Sequence, residues 1–271
     1  MDDLRERMKA AYEARGDAIV EAAVSDEPLV RAAAASNPRI PVELLMTLAS
    51  DEDSRVRCGA AGNAACPADL LMALSADDAC DFNVARHGRT PAAALRVLGD
   101  SHRSATRQAV AEHPSTPPDV LRQLADDEQG HIIHTVASNA SADSETLEFI
   151  AANPDRHPYL HRMLAGNPST PQALLTEFAD DPEMCGPLAG NPSTPSAILV
   201  KLAGDEDPQV RMALAGNPST PTETMRVLAA DEDFWVRLAL ARNENPPAKI
   251  LAVLAEDAEY SVRVAASKRQ L

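Results

Sequence analysis

Histidine is the residue type in this sequence best suited to metal chemistry, and His131, His134 and His161 are the candidates. His131 and His134 are three residues apart, so both lie on one face if their segment is helical. Neutral imidazole is a common ligand of transition metals, but a closed site needs three or four converging ligands. Because only two of the three share a face, we assign no metal and keep all three as weak candidates.

A less acidic segment surrounds these histidines. All seven histidines lie between His87 and His161, and Tyr159 and Arg162 fall in the same stretch. Residues 80–165 contain 8 Arg, no Lys and 11 Asp or Glu, a net charge of −3 against −16 for the whole chain. Histidines that protonate near pH 6 reduce this further. The segment is therefore a candidate polar recognition patch, or a small-molecule or metal pocket.

No catalytic signature accompanies these residues. The chain contains no GxSxG, P-loop, HExxH or strand-linked GxGxxG motif. Four scattered cysteines, Cys58, Cys66, Cys80 and Cys185, form no CxxC pair and predict no disulfide framework. We expect a protein that is not an enzyme and that has no cofactor.

Charge and hydropathy exclude further classes. A net charge of −16 disfavours nucleic-acid binding, which needs cations, and disfavours attachment to anionic membranes. No apolar stretch approaches the roughly 18 residues of a membrane span, and no charged-then-apolar leader opens the chain. The expectation is a cytoplasmic protein.

All of these residues belong to a sequence repeat. The octapeptide Leu-Ala-Gly-Asn-Pro-Ser-Thr-Pro occurs at 164–171, 188–195 and 214–221. We take its Asn as the anchor of each repeat, and the equivalent residues are Asn37, Asn63, His87, His113, Asn139, Asn167, Asn191, Asn217, Asn243 and Arg269. The spacing predicts about ten units of 24–28 residues, each stable only when stacked on its neighbours.

The Asn, Pro and Thr residues that recur in each unit predict the ends of two short helices. Asn tolerates the left-handed conformation that ends a helix, and the following Pro stops its continuation. Thr before a second Pro suits an N-cap, with that Pro at the first helical position. An apolar helix with i, i+1, i+4 spacing then precedes an acidic turn and a shorter Val-Arg helix. Its arginines, such as Arg31 and Arg211, are expected to face the acidic turns as a structural ladder. Arginine is replaced, and the ladder is expected to fail, at Asp81, Ile133, His161 and Cys185.

This pattern resembles the bacterial leucine-rich repeat variant family, and more loosely HEAT repeats. The resemblance covers about residues 24–271 and implies an all-α, right-handed α-solenoid whose second helix is short and partly 3₁₀. It implies no single activity. Some members hold an iron–sulfur cluster on clustered cysteines, but the four cysteines here lie in separate repeats, so that feature is not carried over. We expect residues 1–24 to form an N-terminal helical cap and residues 25–271 a single elongated domain.

The variable positions of the second helix are the candidate site. The residues seven and three before the anchor are expected to point inward, and those eight, five and one before it to point outward. If this helix lines the concave face, as in HEAT-like arrays, the outward residues form a partner-binding stripe. Its predicted members are Phe82, Arg86, Gln108, His131, His134, Tyr159, Arg162, Met212, Trp235 and Leu238.

Two classes of function compete for this stripe. The first is a non-enzymatic scaffold that binds a peptide or protein partner along the concave face. The second is nucleic-acid binding, by analogy with helical-repeat DNA glycosylases, with Arg86, Arg103, Arg107 and Arg162 as phosphate contacts. The acidic balance and the scarcity of lysine favour the first.

Overall fold

The structure is a computed structural model that describes residues 2–152 and 160–269. Throughout these two ranges the regular elements are α-helices and two short 3₁₀ helices, and no strand occurs in them. The predicted all-α helical-repeat fold is therefore confirmed. Helix α1 spans Asp2–Glu13 and precedes the first repeat.

Ten helix pairs follow α1, and we call the first helix of each pair the A-helix and the second the B-helix. In chain order the pairs are α2 (Asp17–Ala23) with α3 (Pro28–Ala35), α4 (Val42–Leu48) with α5 (Ser54–Ala61), α6 (Ala68–Leu74) with α7 (Asp81–Arg86), α8 (Ala92–Gly99) with α9 (Ser104–Glu112), α10 (Pro118–Leu124) with α11 (Gly130–Ser138), α12 (Ser144–Ala151) with α13 (Leu160–Gly166), α14 (Gln172–Glu177) with α15 (Cys185–Gly190), α16 (Ser196–Leu202) with α17 (Pro208–Gly216), α18 (Thr222–Leu228) with α19 (Phe234–Arg242), and α20 (Ala248–Leu254) with α21 (Tyr260–Ser267).

The predicted 3₁₀ character is confined, within the described ranges, to one repeat. There Phe178–Asp180 extends α14 and Pro182–Met184 precedes α15. The other B-helices are α-helical along their length.

The core lies between the A- and B-helices. The residues seven and three before the anchor are buried in every repeat, as the period predicts, for example Val56 and Ala60 in α5 and Leu240 in α19. The A-helix contributes a pair such as Leu71 and Leu74. Full burial of one leucine contributes about 1.5–3 kcal/mol, so each pair gains its stability from the adjacent pairs.

Within each unit, anchor side chains bind the backbone of the preceding repeat. Asn191 Nδ2 donates to the carbonyl oxygens of Ala165 and Asn167, both at 2.8 Å, and its Oδ1 accepts the N–H of Ser193 at 2.8 Å. The same arrangement recurs at Asn63, Asn139, Asn217 and Asn243. We call this three-bond arrangement the anchor latch.

Histidine replaces asparagine in two anchor latches. His87 Nε2 lies 2.9 Å from the carbonyl oxygen of Asn63, and its Nδ1 accepts the N–H of Arg89 at 3.1 Å. His113 repeats this with the carbonyl of His87 and the N–H of Ser115. Both rings are buried and neutral, with the proton on Nε2, because Nδ1 must accept a backbone N–H.

Three predictions about how the helices begin and end are wrong. Among the described residues no non-glycine residue has a positive φ; Asn191, for example, ends α15 in extended geometry, with φ −80° and ψ 119°. Thr194 is not an N-cap, since its Oγ1 donates to the carbonyl of Leu188, near the end of the B-helix, at 2.7 Å. Pro195 itself is the N-cap residue, so α16 begins at Ser196, one residue later than expected.

The predicted arginine ladder forms. Arg211 binds both carboxylate oxygens of Asp231, with Nε at 2.7 Å and Nη2 at 3.0 Å, and its Nη1 donates to the carbonyl of Asp205. The pairs Arg31–Asp51, Arg57–Asp77, Arg107–Asp127 and Arg237–Asp257 lie at equivalent positions. Asp81 replaces the ladder arginine, and the ladder was expected to fail there. Instead its carboxylate accepts from Ser101 and Arg103 of the next repeat, so the charges of the pair are reversed, and we call this contact the inverted rung.

The contacts divide the chain into two compact units, Met1–Ser141 and Ala142–Leu271. Within the first unit, α1 packs on α3 and supplies the carbonyls of Ala11 and Ala14 to the Asn37 latch, so it occupies the place of a preceding B-helix. The cap at 1–24 and the single domain at 25–271 remain predictions. No helix in the described ranges is long and apolar enough to cross a membrane.

A candidate binding groove on the B-helices of the first unit

The stacking of B-helices decides which side chains reach the surface of the first unit. α5, α7 and α9 pack side by side, and their residues seven and three before the anchor face the core. The residues eight and one before the anchor are exposed on these three helices, as predicted. The residue five before the anchor varies: Phe82 is exposed, whereas Cys58 and Gln108 are half-buried.

Phe82 stands in the middle of a groove. On one side it lines a surface depression of about 550 Å³ together with Gly62, Asn83, Arg86, Gly88 and Arg89. On the other side, Phe82 and Arg86 line a depression of about 380 Å³ with Ala105, Gln108 and Glu112. A third depression, of about 420 Å³, shares Gly62 and Asn83 with the first and reaches Cys58. We call these three connected depressions the Phe82 groove.

Two glycines keep the groove open. A Cβ at Gly88 would meet no atom within 4 Å, and Gly88 stands where half of the repeats carry a Pro after the anchor. A Cβ at Gly62 would only touch the carbonyl oxygen of Cys58 at 3.4 Å and Asn83 at 3.6 Å. Asn83 itself is fixed, because its Nδ2 donates to the carbonyl of Cys58 at 2.8 Å.

The groove carries a local positive charge in an acidic chain. The Arg86 guanidinium lies over the Phe82 ring, 5.6 Å from its centroid. Among the described residues no carboxylate pairs with Arg86 or Arg89. Arg55, by contrast, is neutralised by Asp53 at 2.6 Å, and this contact lowers the pKa of Asp53 to about 2. Two unpaired guanidinium groups therefore flank an exposed aromatic ring.

The other ionisable groups of the groove are already engaged. Gln108 donates to Glu112 at 3.0 Å, and both ring nitrogens of His87 are used by backbone groups in the anchor latch. His87 therefore has no ring nitrogen left to act as a base toward the groove, whereas Glu112 keeps its second carboxylate oxygen.

The histidines singled out for metal chemistry are not gathered into a cluster. His131 is exposed and His134 half-buried on α11, whereas His161 in the second unit stacks against Phe178 with ring centroids 5.1 Å apart. Over residues 2–152 and 160–269, no group of three His, Cys, Asp or Glu side chains could hold a metal ion. Tyr159 lies outside the described residues.

The stripe residues of the second unit differ in exposure. Arg162 is exposed and donates to the carbonyl of Glu183 at 3.4 Å, and Met212 is half-buried. Trp235 is 54% exposed and stacks on Phe234 at 4.5 Å between centroids. The expectation for Leu238 is wrong: it is 3% exposed, because α19 is packed between α17 and α21.

Two of the arginines considered as phosphate contacts form ion pairs with carboxylates of the chain itself. Arg103 pairs with Asp81 at 3.3 Å, and Arg107 pairs with Asp127 at 2.6 Å. The predicted outward positions of the B-helices did not include three residues that line the groove: Asn83, Gly88 and Arg89. The sequence carried a signal for one of them, since Gly88 breaks the Asn-Pro pattern beside the aromatic outlier Phe82.

Comparison with known proteins identifies the repeat. Residues 28–53 and 105–129 match the family model described as leucine rich repeat variant. Each match runs from a B-helix through the anchor latch into the following A-helix and acidic turn. No curated protein matches the chain.

Solved structures with similar repeats span most of the chain. One is described as a leucine-rich repeat variant with a novel repetitive structural motif, at 19% identity and a TM-score of 0.42, over 91% of this chain and 88% of that one. Another is an engineered protein, at 17% identity and a TM-score of 0.36, over 97% and 90%. The family model matches two repeats and the anchor latch is present in both units, so the described residues form a helical repeat fold similar to that of the leucine rich repeat variants.

Proposed function

We propose that the chain is a non-enzymatic scaffold that binds a short segment of a partner protein in the Phe82 groove. The observation that carries this proposal is the exposed Phe82 ring between two depressions, with an unpaired guanidinium over its face. Buried or half-buried aromatic and arginine side chains are the typical energetic centres of protein interfaces. The groove offers both on a frame held rigid by the anchor latches.

The charge of the groove favours one kind of segment. Arg86 and Arg89 can pair with a carboxylate, and the Phe82 ring can pack against an apolar side chain beside it. A long acidic tail would be repelled by the net charge of −16, which acts beyond the groove itself. The partner segment therefore carries one or two carboxylates next to an apolar residue.

Panning of short random peptides displayed on phage against the full chain tests the proposal. We expect the enriched peptides to combine an Asp, a Glu or a free C-terminus with an adjacent apolar residue. Phe82→Ala and Arg86→Ala should each weaken binding of such a peptide by about tenfold or more, the loss typical of an interface centre. Arg226→Ala removes an exposed arginine of the second unit that is paired with Glu223, and it should change nothing.

A blocking variant separates groove binding from charge. A Cβ at Gly88 would meet no atom within 4 Å, so Gly88→Trp should leave the fold intact while its indole occupies part of the 550 Å³ depression and excludes the peptide. Gly204→Trp is the matched control, since a Cβ there also meets nothing within 4 Å. The proposal is wrong if panning enriches no such peptides, or if Gly88→Trp binds them as well as Gly204→Trp does. Retardation of duplex or single-stranded DNA in low salt that is lost in Arg86→Ala would assign the groove to nucleic acid instead.

A further inference from the structure

Two thiols from neighbouring repeats face each other in the first unit. Cys58 lies on α5 and Cys80 is the residue before α7, and their Sγ atoms are 3.2 Å apart. Cys58 Sγ also lies 3.0 Å from the carbonyl oxygen of Ala79, and Cys80 Sγ lies 3.4 Å from Asp77 Oδ2. Both cysteines are free. Closing the gap to the disulfide length of about 2 Å requires a shift of roughly 1 Å.

The two thiols differ in access. Cys58 is half-buried and lines the 420 Å³ depression with Ser36, Ser54 and Gly59. This depression gives a small molecule from solvent a route to the sulfur of Cys58. Cys80 is fully buried beneath it. An oxidant from solvent can therefore reach the Cys58 sulfur, and the buried Cys80 sulfur lies where it can react with oxidised Cys58.

We propose that Cys58 and Cys80 form an oxidation site, at which a small peroxide converts the two thiols to a disulfide between neighbouring repeats. Cys58 gives up its proton and its sulfur attacks one peroxide oxygen; the O–O bond breaks, the sulfenic acid forms, and the leaving hydroxide takes that proton as the first water. Cys80 sulfur then attacks the sulfenic sulfur, and its proton leaves with the hydroxyl group as a second water. Two thiols and one hydrogen peroxide thus give one disulfide and two waters, with two electrons passing to the peroxide.

The environment of the thiols sets this order of events. Burial raises the pKa of the Cys80 thiol, and its contact with Cys58 raises it further. Burial likewise raises the pKa of the Cys66 thiol to about 11. Cys80 is therefore held as a thiol at neutral pH, and the first reaction with peroxide falls to Cys58 because it lines the depression. This site does not depend on the Phe82 groove binding any partner.

Peptide mapping of the full chain after hydrogen peroxide treatment, followed by maleimide blocking in denaturant so that the buried Cys66 also reacts, tests the site. We expect an unreduced peptide pair linking Cys58 to Cys80, lighter than the free thiols by two hydrogen atoms, while Cys66 and Cys185 carry maleimide. The oxidised chain should also unfold at a higher temperature than the reduced chain, because the link constrains the unfolded state.

Matched variants keep the test independent of folding. Cys80→Val introduces the residue that other repeats carry at this position, as at Val56 and Val210, so it should fold and leave Cys58 as a sulfenic acid that dimedone captures. Cys66→Ala should leave the linked peptide unchanged. Cys58 that pairs with Cys66 or Cys185, or that stays reduced beside an unmodified Cys80 while the peroxide oxidises exposed methionines, would overturn the assignment.

Discussion

At the scale of single residues, the anchor latch is where one side chain does most for the fold. Asn191→Ala removes three hydrogen bonds, two to the carbonyls of Ala165 and Asn167 and one from the N–H of Ser193; the carbonyl of Asn167 keeps the N–H of Thr170. We expect a loss of about 2–4 kcal/mol in the free energy of unfolding, since each unsatisfied buried group costs about 1–3 kcal/mol. Urea unfolding followed by circular dichroism measures it.

The chain supplies its own control for this substitution. Asn191→His introduces the side chain that His87 and His113 use in the same position, so it should cost clearly less than Asn191→Ala. Equal losses for the two variants would show that the latch bonds do not determine stability.

A buried hydroxyl gives a prediction of the opposite sign. Thr106 is fully buried, its Oγ1 has no hydrogen-bond partner, and the equivalent position in other repeats is a valine such as Val56. Thr106→Val should raise the free energy of unfolding by about 1 kcal/mol, because an unpaired polar group leaves the core. Thr116→Val is the contrast, since its hydroxyl donates to the carbonyl of Val110 and its loss should destabilise. A destabilised Thr106→Val would contradict this account in the same urea assay.

At the scale of helices, the arginine ladder makes the fold sensitive to acid. The hydrogen bonds from Arg31 hold the pKa of Asp51 below its ordinary value of about 3.9. A carboxyl with a lowered folded pKa contributes fully above the unfolded pKa, and its contribution is lost as pH falls through the folded pKa. Asp51→Asn should therefore lower stability at pH 7, by about 1–3 kcal/mol, and by much less at pH 3.

An exposed ion pair is the control for the ladder. Arg96 and Asp119 are paired at 2.8 Å, but their side chains are 51% and 60% exposed. Asp119→Asn should change stability very little at either pH, since exposed pairs contribute weakly. If Asp51→Asn cost the same at pH 3 as at pH 7, the ionised contact would not be the source of its effect.

The helices were readable from the sequence because their period is local. The i, i+1, i+4 spacing of residues such as Leu70, Leu71 and Leu74 and the regular prolines predicted the ten pairs. The roles of Asn191 and Thr194 were not readable, because their partners are carbonyls brought close only by stacking. The inverted rung at Asp81 was missed for the same reason, since Ser101 and Arg103 belong to the next repeat.

At the scale of the whole molecule, the repeat frame is uniform and the candidate site is a local departure from it. The helical period predicts which positions point outward, and on this basis it selected Phe82, Arg86 and Gln108. It did not select Arg89 or Gly88, which lie in the loop after the helix and join the groove only through the fold. It misplaced Leu238, because how closely neighbouring B-helices cover a side chain depends on packing rather than on period.

Amide chemical shifts of the isotope-labelled full chain, titrated with an acidic peptide enriched by panning, test the central claim most directly. The account predicts that the shifted amides cluster at Gly62, Phe82, Arg86 and Arg89, and that Gly88→Trp abolishes the shifts. Shifts that cluster instead around Trp235 in the second unit, or that persist unchanged in Gly88→Trp, would contradict it.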